Sequence, residues 1–138
     1  MPNFSKESDN KLKTCDIRLQ ILFNQVVRKY DCIVIEGHRS IERQEELFND
    51  KNRRTKVKHS KHNEKPSLAV DISPYPIPDK WGKGDSKEKS KFYHFAGYVK
   101  GMAEANNIKI RWGGDWDNDN DFNDQTFDDL IHFELIGV

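Results

Sequence analysis

Two short stretches of this chain alternate apolar and polar side chains over lengths that suit a strand. In Leu68-Ala69-Val70-Asp71-Ile72-Ser73, successive side chains point to opposite faces, so Leu68, Val70 and Ile72 share one face and Ala69, Asp71 and Ser73 share the other. In Ile131-His132-Phe133-Glu134-Leu135 the same rule turns Ile131, Phe133 and Leu135 inward and leaves His132 and Glu134 on the reverse. A sheet made from these strands has one apolar face to be covered by helices. Its other face carries a carboxylate and an imidazole.

Periodicity supplies the covering helices. From Lys11 to Tyr30, Leu12, Cys15, Leu19, Leu22 and Val26 recur at steps of three and four, which predicts one helix with Ser8 or Asp9 as its cap. Cys32 to Ile35 is a β-branched run bounded by Asp31 and Gly37, the pattern of a buried strand. Ser40 is placed to cap a second helix that has Glu42 in its first turn and runs to about Asn49. Residues 51–66 lack apolar period and read as a surface loop, and Pro74, Pro76 and Pro78 end the strand that follows. The polar segment Lys80 to Ser90, with Gly82 and Gly84, reads as a flexible excursion. Phe92, Phe95, Ala96, Val99 and Ala103 predict a helix from about Lys91 to Asn106, followed by strands at Ile108–Trp112 and Leu130–Ile136. This order predicts an α+β fold, a small antiparallel sheet packed against about three helices. At 138 residues, a single domain spanning 1–138 is expected.

The 23 Lys+Arg balance the 23 Asp+Glu, so position matters more than the sum. Lys51, Arg53, Arg54, Lys56, Lys58 and Lys61 make one stretch basic, while Asp115, Asp117, Asp119, Asp121, Asp124, Asp128 and Asp129 make another acidic. The basic stretch lacks interleaved aromatics, which argues against a nucleic-acid partner. No stretch approaches the roughly 18 apolar residues that span a bilayer, and the start MPNFSKESDN has no apolar signal-peptide core. Synthesis in the cytoplasm without membrane insertion is therefore expected. Cys15 and Cys32 sit inside apolar runs and read as free buried thiols.

His62 lies nine residues before Asp71, on the loop entering that strand, where it can fold back over the face bearing Asp71. Two imidazoles and a carboxylate suit Zn²⁺ and leave a fourth position for water, whose pKa falls towards about 7 when bound. On spacing alone, such a trio does not stand out among five histidines.

Four segments in order add to it. Ser60-Lys61-His62 followed by Ala69-Val70-Asp71, and Asp129-Leu130-Ile131-His132-Phe133-Glu134-Leu135, resemble the two metal-binding motifs of the VanY-like D-Ala-D-Ala carboxypeptidase family, which includes phage L-alanyl-D-glutamate peptidases acting as endolysins. Glu36-Gly37-His38-Arg39-Ser40, with Gln44 and Leu47, resembles the family's Gly-x-Arg-Ser segment, and Arg111-Trp112-Gly113-Gly114-Asp115-Trp116 its Trp-Gly-Gly-Asp-Trp stretch. The resemblance implies a hedgehog/D-Ala-D-Ala-peptidase-like fold and zinc held by His62, Asp71 and His132. It further implies Asp129 as the general base that later protonates the leaving amine, Arg39 as the group steadying the substrate carbonyl or oxyanion, and Arg39, Gln44 and Ser60 on the substrate side. Those roles agree with general chemistry, since a tetrahedral intermediate needs a fixed positive group and the attacking water a base within reach.

One departure concerns the first motif. In much of the family its His and Asp are seven apart with a glycine between, whereas here Asn63-Glu64-Lys65-Pro66-Ser67 intervene, a longer form that resembles phage members. His59 is the alternative ligand, though it has no counterpart in the motif; His38 and His94 read as structural or exposed. Glu134 shares a strand face with His132 and is either a partner that orients it or a solvated side chain. Asp115, Asp117, Asp119 and Asp121 have the alternate-residue spacing that chelates Ca²⁺, with Asn120 where a left-handed turn is tolerated, and Asp124 or Gln125 available to complete the set. An EF-hand would require Gly at 120 and Glu at 126, where Thr126 stands. The reading that follows is a monomeric zinc endopeptidase, with Ca²⁺ as a second ion, that cleaves the L-alanyl-D-glutamate bond of peptidoglycan stem peptides. It would depend on a partner such as a holin to pass from the host cytoplasm to the periplasmic wall. The alternatives are a D-Ala-D-Ala carboxypeptidase and a non-catalytic metal-binding module of the same fold.

Overall fold

A computed structural model describes residues 2–50, 60–78, 86–121 and 129–137. Most of the basic run, His59, Gly82, Gly84, Asp124, Gln125, Thr126 and Asp128 lie outside the described residues. Four strands, β1 (Cys32–Glu36), β2 (Ala69–Pro74), β3 (Ile110–Gly113) and β4 (Asp129–Leu135), form one sheet in the order β1-β2-β4-β3 with every neighbouring pair antiparallel. Among the described residues, four α-helices accompany it: α1 (Lys6–Leu12), α2 (Ile17–Lys29), α3 (Ile41–Asn49) and α4 (Ser86–Ala105). The α+β class and antiparallel sheet are as expected, and α3 starts behind Ser40, whose hydroxyl accepts from Arg43 N–H at 3.1 Å.

The fourth helix arises because the stretch expected to be one helix is two. Asp16 caps α2 by accepting from Arg18 N–H at 2.9 Å, and the chain between the helices bridges to Ser67 through Asp16 N–H to Ser67 O (2.8 Å) and Ser67 N–H to Thr14 O (2.9 Å). Leu12, Cys15 and Leu19 are all buried on either side of the break. Apolar period therefore runs through a point where the backbone turns aside to pair.

The core lies on one face of the sheet, against α2 and α4. Phe133 meets Phe23 and Phe95 edge-on at ring-centroid distances of 5.5 and 6.1 Å, and Trp112 meets Tyr93 at 5.3 Å. Removing a ring so enclosed costs about 3–5 kcal/mol. Val70 and Ile72 join this core, which leaves Asp71 on the other face, as alternation predicts; even so, all six β2 residues are buried, so that face is covered as well.

Two register shifts place charged groups where simple alternation would not. β1 pairs Val34 with Ile72 but Glu36 with Asp71, so the extra residue at Ile35 turns Glu36 to the face of Asp71. Between β3 and β4 the pairing jumps from Trp112↔Phe133 to Gly113↔Asp129. Consequently Leu130 joins the core, while Ile131, expected inward, is only partly buried.

Candidate metal centre

The reverse face of the sheet gathers His62, Asp71 and His132. Asp71 and His132 stand directly opposite each other on β2 and β4. His62 comes from a single 3₁₀ turn, Lys61–Asn63, held by a capping box in which Ser60 Oγ accepts from His62 N–H at 3.1 Å and Ser60 N–H donates to Asn63 Oδ1 at 2.7 Å. That turn docks on the segment after β1, through Arg39 N–H to His62 O (2.8 Å) and Asn63 Nδ2 to Arg39 O (2.8 Å). The nine-residue spacing thus closes over Asp71 without the shorter glycine-containing loop.

One donor atom from each of the three lies within 4.8 Å of the others, and all three residues are buried. His62 Nε2 and His132 Nδ1 both approach Asp71 Oδ1, at 3.1 and 3.2 Å. The remaining ring nitrogens are occupied: His62 Nδ1 donates to Gly37 O at 2.7 Å and His132 Nε2 to Glu134 Oε1 at 2.9 Å. Each ring is thereby oriented with one nitrogen aimed at Asp71. Two oriented imidazoles plus one carboxylate are a donor set that fits a tetrahedral divalent cation with an open position.

Electrostatics knit the cluster together. Burial works against a charged His132, yet hydrogen bonds to Asp71 and Glu134 outweigh it and lift its pKa to about 10. Burial likewise opposes the Asp71 carboxylate, but His62 and His132 hold it well below the usual carboxylate range. For Glu134, burial is overcome by His132 and Arg111, leaving its pKa at about 2. A cation bound here would compete with a proton on His132.

Arg39, with its side chain 10% exposed, is gripped from several sides. Nε donates to Glu36 Oε1 (3.0 Å), Nη2 to Glu36 Oε2 (2.6 Å) and Nη1 to Gln44 Oε1 (2.7 Å), and Nη2 lies 3.6 Å from Asp71 Oδ2. Burial opposes its charge, but Glu36 more than offsets this and raises its pKa. Gln44, expected on the substrate side, is buried, and its Oε1 accepts from Arg39 Nη1. Ser60, expected on the same side, caps the turn. Asp129, about a third exposed, places Oδ2 4.0 Å from His132 Nδ1, and the register shift in β4 makes this possible, since an odd separation along a regular strand would put the two on opposite faces. The Trp116 ring lies 5.3 Å from that of His132.

Glu36, Gly37, Trp116 and Arg111 were not separable as site residues in the sequence. They fall within the two segments that resemble the family's, but no role attached to them there, because their contacts depend on the β1 bulge and on strand register. Burial pushes the Cys15 and Cys32 thiols up to about 11 and about 12, which keeps them protonated and unreactive. Asp115, Asp117 and Asp119 bring carboxylate oxygens within 4.8 Å of one another, whereas Asp121, the fourth of the expected carboxylates, is outside the group and donates its N–H to Asp119 Oδ1 at 2.8 Å. Buried Asp115 accepts from the N–H groups of Asp119 (3.2 Å) and Asn120 (2.8 Å), and Asn118 and Asn120 adopt left-handed φ of 57° and 66°.

Comparison with known proteins gives a family and a fold. Residues 2–136 match the family model described as phage L-alanyl-D-glutamate peptidase. Among solved structures, the crystal structure of Serratia marcescens L-Ala D-Glu endopeptidase ChiX superposes with a TM-score of 0.70 at 24% identity, covering 96% of this chain and 89% of that one, a likeness of fold. No curated protein matches the chain.

Proposed function

The chain belongs to the phage L-alanyl-D-glutamate peptidase family, and from that premise we propose that it is a zinc endopeptidase hydrolysing the L-alanyl-D-glutamate bond of peptidoglycan stem peptides, deployed as an endolysin. The observation that carries this reading is the convergence of His62 Nε2, Asp71 Oδ1 and His132 Nδ1, with the far nitrogen of each ring held by an acceptor.

His62, Asp71 and His132 hold the metal. When bound, zinc supplies Lewis-acid activation of water and of the scissile carbonyl. Asp129, beside the metal-facing nitrogen of His132, takes the proton of the attacking water as the C–O bond forms. It returns that proton to the D-glutamate nitrogen as the C–N bond breaks, so the leaving group departs as a neutral amine. Arg39 sets a permanent positive charge beside Asp71, with Nε and Nη2 turned to Glu36 and Nη1 to Gln44, and is the group we assign to a substrate oxygen.

Calcium bound by Asp115, Asp117 and Asp119 is the second ion we propose, checked by calcium titration of the wild type against Asp117→Asn. No helix among the described residues is long and apolar enough to cross a membrane. We infer synthesis in the host cytoplasm and holin-assisted passage of a monomer to the wall.

Digestion of purified sacculi tests the reaction. New amino-terminal D-glutamate together with carboxy-terminal L-alanine is the expected result. Release of free D-alanine without stem cleavage would assign a D,D-carboxypeptidase, and no new termini at all would leave a non-catalytic module.

A further inference from the structure

We propose that Glu134, clamped by Arg111 and Lys61, is a positioning residue that makes Nδ1 the nitrogen His132 offers to a metal, and that Arg111 is the outer anchor of the arrangement; the inference rests on the reading of His132 as a ligand. A neutral imidazole can carry its proton on either nitrogen, and the partner of one decides what the other can do. Glu134 Oε1 lies 2.9 Å from His132 Nε2, and a carboxylate only accepts, so Nε2 keeps its hydrogen; the nitrogen left to give up a proton to an incoming cation is Nδ1, which faces the ligand Asp71 at 3.2 Å.

Glu134 is 6% exposed, so it is no solvated surface carboxylate, and a buried charge needs partners of its own. They come from two other elements. Arg111, its directly opposed neighbour on β3, brings Nη2 to 2.8 Å from Oε2, and Lys61 brings Nζ to 3.2 Å from the same oxygen while also donating to Leu135 O. Lys61 belongs to the turn that carries His62. One carboxylate therefore ties the turn bearing one imidazole to the strand bearing the other.

Arg111 also reaches the opposite flank of His132. Its Nη1 donates to Trp116 O at 3.4 Å, and the Trp116 ring packs by that of His132. Its Nε is buried without a hydrogen-bond partner among the described residues, so Glu134 and Trp116 dictate the guanidinium's pose at the expense of its own saturation.

Glu134→Gln is the direct test, since the amide oxygen can still accept from Nε2 but the charge that fixes the clamp is gone. Zinc affinity, by competition with a chromogenic chelator, is expected to weaken by about 10–100-fold, with the visible bands of the cobalt-substituted protein shifted and far-ultraviolet circular dichroism retained. Arg111→Met, at a residue about a third exposed, is expected to weaken zinc binding in the same direction by a smaller factor. Zinc affinities within twofold of wild type and unchanged cobalt spectra in Glu134→Gln would overturn the inference. If that variant does not fold, the same result in Arg111→Met overturns it. A wild-type protein that binds neither metal would instead sink the reading of the site itself.

Discussion

Gly37→Ala connects the packing of the fold to the metal centre. A Cβ at Gly37 would lie 2.3 Å from Thr14 Oγ1, 2.4 Å from Lys11 O and 3.1 Å from Cys15 Sγ, two of them far inside contact distance. Neither near atom can move aside cheaply: Lys11 O is backbone, and Thr14 Oγ1 both donates to Lys11 O at 2.6 Å and accepts from His38 N–H at 2.8 Å. Overpacking costs typically about 1–3 kcal/mol and each of the two weakened hydrogen bonds about 1 kcal/mol, so roughly 3–5 kcal/mol of stability is expected to be lost. The same shift moves Gly37 O, the acceptor 2.7 Å from His62 Nδ1, and loosens the ring that must aim Nε2 at the metal. Zinc affinity should therefore fall about 10–100-fold in protein that is still folded. Urea denaturation of metal-free protein reads the first effect and chelator competition the second. Gly97→Ala is the control, because a Cβ there meets nothing within 4 Å and a helical alanine is expected to be neutral or to stabilise by up to about 1 kcal/mol. A Gly37→Ala protein destabilised as calculated but binding zinc like wild type would refute the claim that Gly37 orients His62.

Asp129→Ala is expected to lower the rate of peptidoglycan hydrolysis about 10²–10⁴-fold while zinc still binds at one per chain; unchanged lysis would remove Asp129 from the mechanism. His62→Ala should lose high-affinity zinc, and chelators should abolish wild-type activity that zinc then restores; wild-type affinity in His62→Ala would send the search to His59. In metal-free protein, the His132 pKa raised to about 10 means its stabilisation is present below about pH 6.5 and lost as pH rises through about 10. Glu134, lowered to about 2, stabilises above about pH 4.5, and that contribution is lost as pH falls through about 2. Urea midpoints across pH should show both limbs, and His132→Gln should flatten the alkaline one; an unaltered alkaline slope would contradict the assignment.

Strand alternation was enough to put Asp71 and His132 on a shared face, because a half-apolar strand can lie only one way on its core. His62 follows no period; a capped 3₁₀ turn delivers it, and the Ser60 and Asn63 side chains that build this turn look like any polar loop. Asp129 shows the limit of the alternation rule, since its three-residue separation from His132 reads as the opposite face until the β4 irregularity is known. The Arg111–Glu134 contact depends on strand register, and Glu36 on a bulge, neither of which leaves a mark in local sequence. The helix break at Cys15 was hidden for a related reason: burial continued on both sides of it, so apolar spacing recorded the core rather than the backbone.

Crystallography of zinc-loaded protein at the zinc absorption edge measures the central claim. The account predicts a single strong anomalous peak at the shared face of β2 and β4, coordinated by Nε2 of His62, Oδ1 of Asp71 and Nδ1 of His132, with Gly37 O and Glu134 Oε1 still on the opposite nitrogens. A peak ligated through those opposite nitrogens, or held by His59 in place of His62, would contradict it.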